Sequence, residues 1–122
     1  MTKKILIIED ETNLREALKD KFSMEGYQVI EARDGTEGVS LAKSMSPDII
    51  LLDIIMPKEN GLDALKEIRN TASLIAVPVF MLTNLSEESS QKITSDLGAN
   101  AYLVKSDIKI DDLIGKVKAI LE

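Results

Sequence analysis

Four apolar runs in this 122-residue chain end in residues that can do chemistry. Ile5-Leu6-Ile7-Ile8 runs into Glu9-Asp10-Glu11, and Ile49-Ile50-Leu51-Leu52 into Asp53. Val79-Phe80-Met81-Leu82 ends in Thr83, and the weaker run Ala101 to Val104 ends in Lys105. If these ends converge, Glu9, Asp10 and Asp53 repel one another, and one must protonate unless a cation joins them. Mg²⁺ removes the conflict, because it prefers oxygen ligands and keeps waters that leave room for a phosphoryl oxygen. Lys105 adds a compact positive charge and Thr83 a hydroxyl donor. That set suits phosphoryl transfer, where catalysis is mainly positioning and charge stabilisation. A carboxylate can itself be the acceptor, forming an aspartyl phosphate.

Each residue alone has a plainer explanation. Acids suit polar loops and helix N-termini, and Thr83 and Lys105 suit capping and surface positions. Joint placement at four strand ends is what points to a site. Composition narrows the chemistry further. The chain has no Cys and no His. Thiol nucleophiles, disulfides, Ser-His-Asp catalysis and a histidine phosphorelay group are therefore excluded. A net charge of −6 argues against gripping nucleic acid or an anionic membrane directly. The apolar run at 5–8 stops at Glu9, too short for a signal peptide or a membrane span. Cytoplasmic location is the natural expectation.

The elements that must position these residues alternate in type. The continuous apolar runs suit strands buried on both faces, as in a parallel sheet covered by helices. The spacing predicts strands near 4–9, 27–32, 48–53, 77–83 and 101–104. Between them, helices are predicted near 13–25, 35–45, 61–70, 86–97 and 109–121. Leu14, Leu18 and Phe22 mark the first helix face; Ile110, Leu113, Ile114, Val117 and Leu121 mark the last. Thr12 is a candidate cap for the first helix, and Gly26 follows its last turn. Five βα units imply an α/β doubly wound parallel sheet with right-handed crossovers. Ligands bind such sheets beyond the carboxyl ends of the strands. With strand order 2-1-3-4-5, the first and third strands are neighbours and Glu9, Asp10 and Asp53 share one crevice. One domain spanning 1–122 is expected.

Across essentially its whole length the chain resembles the receiver domain of two-component response regulators. The resemblance rests on Ile5 to Glu11, Pro47-Asp48-Ile49-Ile50-Leu51-Leu52-Asp53, Met56-Pro57 with Gly61, Leu82-Thr83, and Gly98 to Lys105 taken in order. It implies the flavodoxin-like order 2-1-3-4-5 and a set of roles. Asp53 would be the phospho-acceptor. Asp10, Asp53 and the backbone carbonyl of Ile55 would hold Mg²⁺ or Mn²⁺, with Glu9 acting through a water. Lys105 would contact the phosphoryl group. Thr83 and Tyr102 would form a switch that biases the fourth helix, fifth strand and fifth helix. The partners would be a histidine kinase or phosphotransfer protein and a downstream protein target. The domain would be no enzyme beyond promoting its own phosphorylation and dephosphorylation. Ile55 and Leu85 would flank the approach of water to the phosphoryl group.

The sequence also departs from the family. Ser106 follows Lys105 where Pro is usual, which leaves a cis peptide unfavourable there. Asn84 replaces a small residue after Thr83 and should crowd the site. Asn100-Ala101 stands where paired acids often support a dimer. A stand-alone receiver acting by protein contact is expected, in preference to one cut from a longer protein. A phosphorylation-independent interaction module is the alternative. A flavin-binding protein would need a Ser/Thr/Gly-rich phosphate loop in place of Glu9 to Asn13. A haloacid-dehalogenase-type phosphatase would need Asp at position 12, where Thr12 stands.

Overall fold

The computed structural model describes residues 2–56, 60–85 and 87–122. Five parallel strands form one sheet: β1 (Lys4–Ile8), β2 (Gln28–Ala32), β3 (Ile49–Leu52), β4 (Val79–Thr83) and β5 (Ala101–Val104). Their order is β2-β1-β3-β4-β5, so β1 and β3 are adjacent and the connection reverses between them. Five α-helices alternate with the strands: α1 (Thr12–Met24), α2 (Gly35–Met45), α3 (Gly61–Arg69), α4 (Glu88–Asp96) and α5 (Ile110–Leu121). Pro57 and the first position of the expected fourth helix lie outside the described residues.

Side-chain alternation along the strands sorts the core into two layers. Leu6, Ile8, Ile50 and Leu52 face α2 and α3, meeting Val39, Ala64, Leu65 and Ile68. Ile5, Ile7, Ile49 and Leu51 face α1 and α5, meeting Leu18, Phe22, Leu113 and Val117. Full burial of such a side chain contributes about 1.5–3 kcal/mol, so both layers pin the central strands. The edge strand β5 is only half-buried along its length. In α4 only Thr94 is buried among the described residues, against four residues in α3.

Local signals explain most boundaries. Asp34 caps α2 by accepting from the Glu37 N–H at 2.8 Å, and Asn60 caps α3 by accepting from Asp63. Gly26 takes φ +93° just after α1, as a glycine can without strain. One expectation is corrected. The cap position of α1 is Glu11, not Thr12, and no side chain caps it. Glu11 instead donates its N–H to Glu9 Oε2 and brings its carboxylate within 3.8 Å of Lys105. The buried line of α1 contains Arg15, Leu18 and Phe22, while Leu14 is half-buried. A short 3₁₀ turn at Ala72–Leu74 has no counterpart among the predicted elements.

Candidate functional site

Parallel order brings the carboxyl ends of β1, β3, β4 and β5 to one edge of the sheet. Register does the rest. Ile8 stands level with Leu52, and the Asp53 N–H donates to the Ile8 carbonyl at 3.1 Å. The next residues on the two strands are the acids. One carboxylate oxygen from each of Glu9, Asp10 and Asp53 lies within 4.8 Å of the others. Glu9 and Asp53 are buried, at 2% and 5% exposure, and Asp10 is open to solvent. Asp10, Glu11, Asp53, Ile55, Thr83, Asn84 and Lys105 line the crevice above them.

Lys105 is the cation of this arrangement. Its Nζ lies 3.0 Å from Asp53 Oδ2 and 2.5 Å from Glu9 Oε1. Burial alone would push the Lys105 ammonium down, but its contacts with Glu9 and Asp53 hold it above its ordinary value. Burial pushes Glu9 up to about 7, with the Asp53 charge adding to the shift; Lys105 and the Glu11 N–H oppose it. Glu9 Oε2 accepts from Glu11, whereas the buried Oε1 has the ammonium as ion partner and no aligned hydrogen bond.

These donors fit a hard divalent cation. All are oxygens, two of the residues are buried, and Glu9 Oε1 has unused acceptor capacity. One ammonium against three carboxylates leaves net negative charge in the crevice, which a divalent ion would offset.

The sequence matches the response regulator receiver domain family over residues 5–118. The chain belongs to that family. It is 40% identical over 118 residues to the transcriptional regulatory protein CpxR of Escherichia coli K12, covering 97% of this chain and 49% of that protein. It is 39% identical over 117 residues to the transcriptional regulatory protein PdtaR of Mycobacterium tuberculosis, covering 95% of this chain and 55% of that protein. This receiver domain thus spans about half the length of the curated relatives it matches. The crystal structure of the Vibrio cholerae chemotaxis protein CheY4 superposes with a TM-score of 0.91 at 25% identity, covering 98% of this chain and 99% of that one. The receiver domain of Francisella response regulator 1452 gives 0.88 at 29% identity, covering 98% and 96%.

Within this receiver domain the expected site residues divide into two groups. Glu9, Asp10, Asp53, Thr83 and Lys105 share the crevice, with Ile55 on its rim. Tyr102 stands outside it, on β5. Leu85 connects the two groups: its N–H donates to Thr83 Oγ1 at 3.4 Å, and Tyr102 donates its hydroxyl proton to the Leu85 carbonyl at 2.5 Å. Burial, with the nearby Glu87 and Asp53 charges, raises the Tyr102 phenol above its ordinary range despite a Ser90 hydrogen bond. Leu85 itself packs against the α2/α3 core layer, while Asn84 lines the crevice. Asn84 thus lines the crevice after Thr83 as expected, beside the half-buried Leu85. No described peptide bond is cis, consistent with Ser106 in place of the usual Pro.

Sequence reasoning missed Arg15. The signal was present: Arg15, Leu18 and Phe22 fall at i, i+3 and i+7, so a charge lies on the buried stripe of α1.

Proposed function

We propose that this receiver domain is a phospho-acceptor switch with Asp53 as acceptor. The observation that carries the reading is the convergence of Glu9, Asp10 and Asp53 with Lys105 Nζ 3.0 Å from Asp53 Oδ2. Asp10, Asp53 and the Ile55 carbonyl would hold Mg²⁺ or Mn²⁺, with Glu9 acting through a water. When bound, the ion supplies charge neutralisation for the phosphoryl oxygens. An Asp53 carboxylate oxygen forms a bond to phosphorus as the P–N bond of a phosphohistidine breaks. The electron pair leaves on the imidazole nitrogen, which takes up a proton. Lys105 exchanges part of its contact with Asp53 for the phosphoryl oxygens. Thr83 follows them, and the Leu85 backbone carries that movement to Tyr102 and the α4-β5-α5 face.

The donor would be a histidine kinase or phosphotransfer protein, and the output a changed affinity for a downstream protein. The domain, 1–122 as one receiver, would act in the cytoplasm without gripping nucleic acid or membrane itself. No described helix is long and apolar enough to cross a membrane. Beyond promoting its own Mg²⁺-dependent phosphorylation and dephosphorylation it would be no enzyme.

Incubation with Mg²⁺ and a small phosphodonor, followed by intact-mass measurement, tests the reading. One phosphoryl group should add to the wild type and none to Asp53→Asn, whose amide is a poor nucleophile. Equal labelling of Asp53→Asn would move the acceptor elsewhere. No labelling of the wild type would favour a phosphorylation-independent module.

A further inference from the structure

One buried charge takes no part in the chemistry above. Arg15, in the first turn of α1, is 7% exposed, and a buried guanidinium is costly unless its donors are used. Its Nη1 donates to the backbone carbonyl of Glu9 at 2.8 Å, and its Nε faces Glu31 Oε1 of β2 at 3.6 Å. The other Glu31 oxygen meets Lys19 at 3.5 Å.

The position of that carbonyl matters. The β1–β2 ladder ends at Ile8 and Ala32, and the Glu9 N–H still donates to Ala32 at 3.0 Å. Past the ladder, the Glu9 carbonyl takes its donor from Arg15. The same carbonyl belongs to the peptide plane joining Glu9 to Asp10. Two of the three clustered carboxylates therefore hang from one clamped plane.

We propose that Arg15 is the positioning residue of the acidic cluster: it fixes the Glu9–Asp10 peptide so that both carboxylates meet Asp53 around a divalent cation. The inference rests on the metal-assisted reading of the crevice. A charge-assisted hydrogen bond is stronger than a neutral one. The planar fork also serves Glu9 and Glu31 together, which a lysine's single nitrogen on a flexible stem does poorly. Glu31 acts as the anchor that keeps the fork turned toward the site.

The test is Mg²⁺ affinity of the whole chain, read from amide NMR titrations well below the melting temperature of each variant. A purely structural role would lower the melting temperature and leave the affinity of the folded protein unchanged. Outer-shell partners of metal ligands typically matter 10–100-fold in affinity, so Arg15→Gln should weaken Mg²⁺ binding by about tenfold or more. Arg15→Lys should recover only part of the loss. Glu31→Gln, which leaves Arg15 in place, should weaken binding about threefold as a lesser outer-shell effect. Lys19→Gln should change nothing. Wild-type affinity in both Arg15 variants overturns the inference while leaving the site reading intact. If Arg15→Gln does not fold, Glu31→Gln decides, and unchanged affinity there overturns it. A wild type that does not bind Mg²⁺ removes the site reading and this inference together.

Discussion

Lys105 Nζ and Asp53 Oδ2 meet at 3.0 Å although 52 positions separate the residues in sequence. Glu9 closes the group at 2.5 Å from the same nitrogen. Removing one partner of a buried ion pair leaves uncompensated charge and typically costs 3–5 kcal/mol. Lys105→Ala should therefore lower metal-free stability at pH 8 by about 3 kcal/mol, the lower end of that range, because the crevice is open to water. Mg²⁺ should restore part of the loss by binding the folded form. Urea denaturation in chelator and in Mg²⁺ measures both, and wild-type stability for the variant in chelator would refute the pairing.

The pH dependence of the metal-free protein follows from Glu9. Burial holds its carboxyl at about 7 in the fold, against an ordinary value of 4.5, so the folded state binds the proton more tightly than the unfolded state. The stability this contributes is fully present below pH 4.5 and is lost as pH rises through about 7. The melting temperature in chelator should fall across that window. Glu9→Gln should abolish this component, and saturating Mg²⁺ should suppress it by favouring the charged carboxylate. A Glu9→Gln profile parallel to the wild type would assign the titration to another group.

Much of this was legible in the sequence because the strands are buried on both faces. Continuous runs such as Ile49 to Leu52 need a covered parallel sheet, and their ends announce the site. The expected strand at 77–83 begins only at Val79, because the preceding Pro78 has no N–H to give a ladder. Two features depended on side-chain direction and stayed hidden. Glu11 turns to the site instead of yielding the cap position to Thr12. Arg15 satisfies a carbonyl that is orphaned only once the β1–β2 ladder ends at Ile8.

Gly61 sets the height of the loop that carries Asp53. A Cβ there would stand 2.0 Å from the Asp53 carbonyl oxygen and 2.6 Å from the Ile54 Cα, and backbone cannot yield as a side chain can. The Gly61 N–H also donates to the Ile54 carbonyl at 2.7 Å. Gly61→Ala should cost about 1–3 kcal/mol, as other overpacking substitutions do. It should also slow labelling of Asp53 under the proposed function, because the displaced backbone carries that side chain. Denaturation and labelling rates test this together; a variant at least as stable as wild type would show that α3 can retreat freely.

Among the helices, α4 is the least anchored and should respond most to a phosphoryl group. Thr94 is the only buried residue among those described in α4, so shifting this helix disrupts little core. Thr83 and Tyr102 both contact the Leu85 backbone, one at its N–H and the other at its carbonyl. Addition of a phosphoryl mimic with Mg²⁺ should therefore move the amide resonances of Leu85, α4 and Tyr102 more than those of α1. Tyr102→Phe should reduce the response in β5 and leave the crevice shifts in place. Shifts confined to the crevice in the wild type would exclude coupling through Leu85.

The lifetime of the phosphorylated state should depend on Ile55. Hydrolysis needs a water in line with phosphorus, on the side opposite the Asp53 oxygen. Ile55 stands on the crevice rim at 60% exposure, with Asn84 also lining the opening. An apolar side chain there excludes water and offers it no hydrogen bond, so general-base or orienting assistance is missing. Slow decay of the aspartyl phosphate is the expected result. Leu85→Glu is unsuitable as a probe, because Leu85 packs on the core and a charge there would destabilise the fold. Ile55→Asn changes an exposed position and should leave stability nearly unaltered. It should speed decay roughly tenfold, equivalent to about 1.4 kcal/mol of barrier. The measurement is loss of the phosphorylated mass after the donor is removed. Decay of the variant at the wild-type rate would show that water does not pass Ile55, and fast decay of the wild type would show that Ile55 does not shield the phosphoryl group.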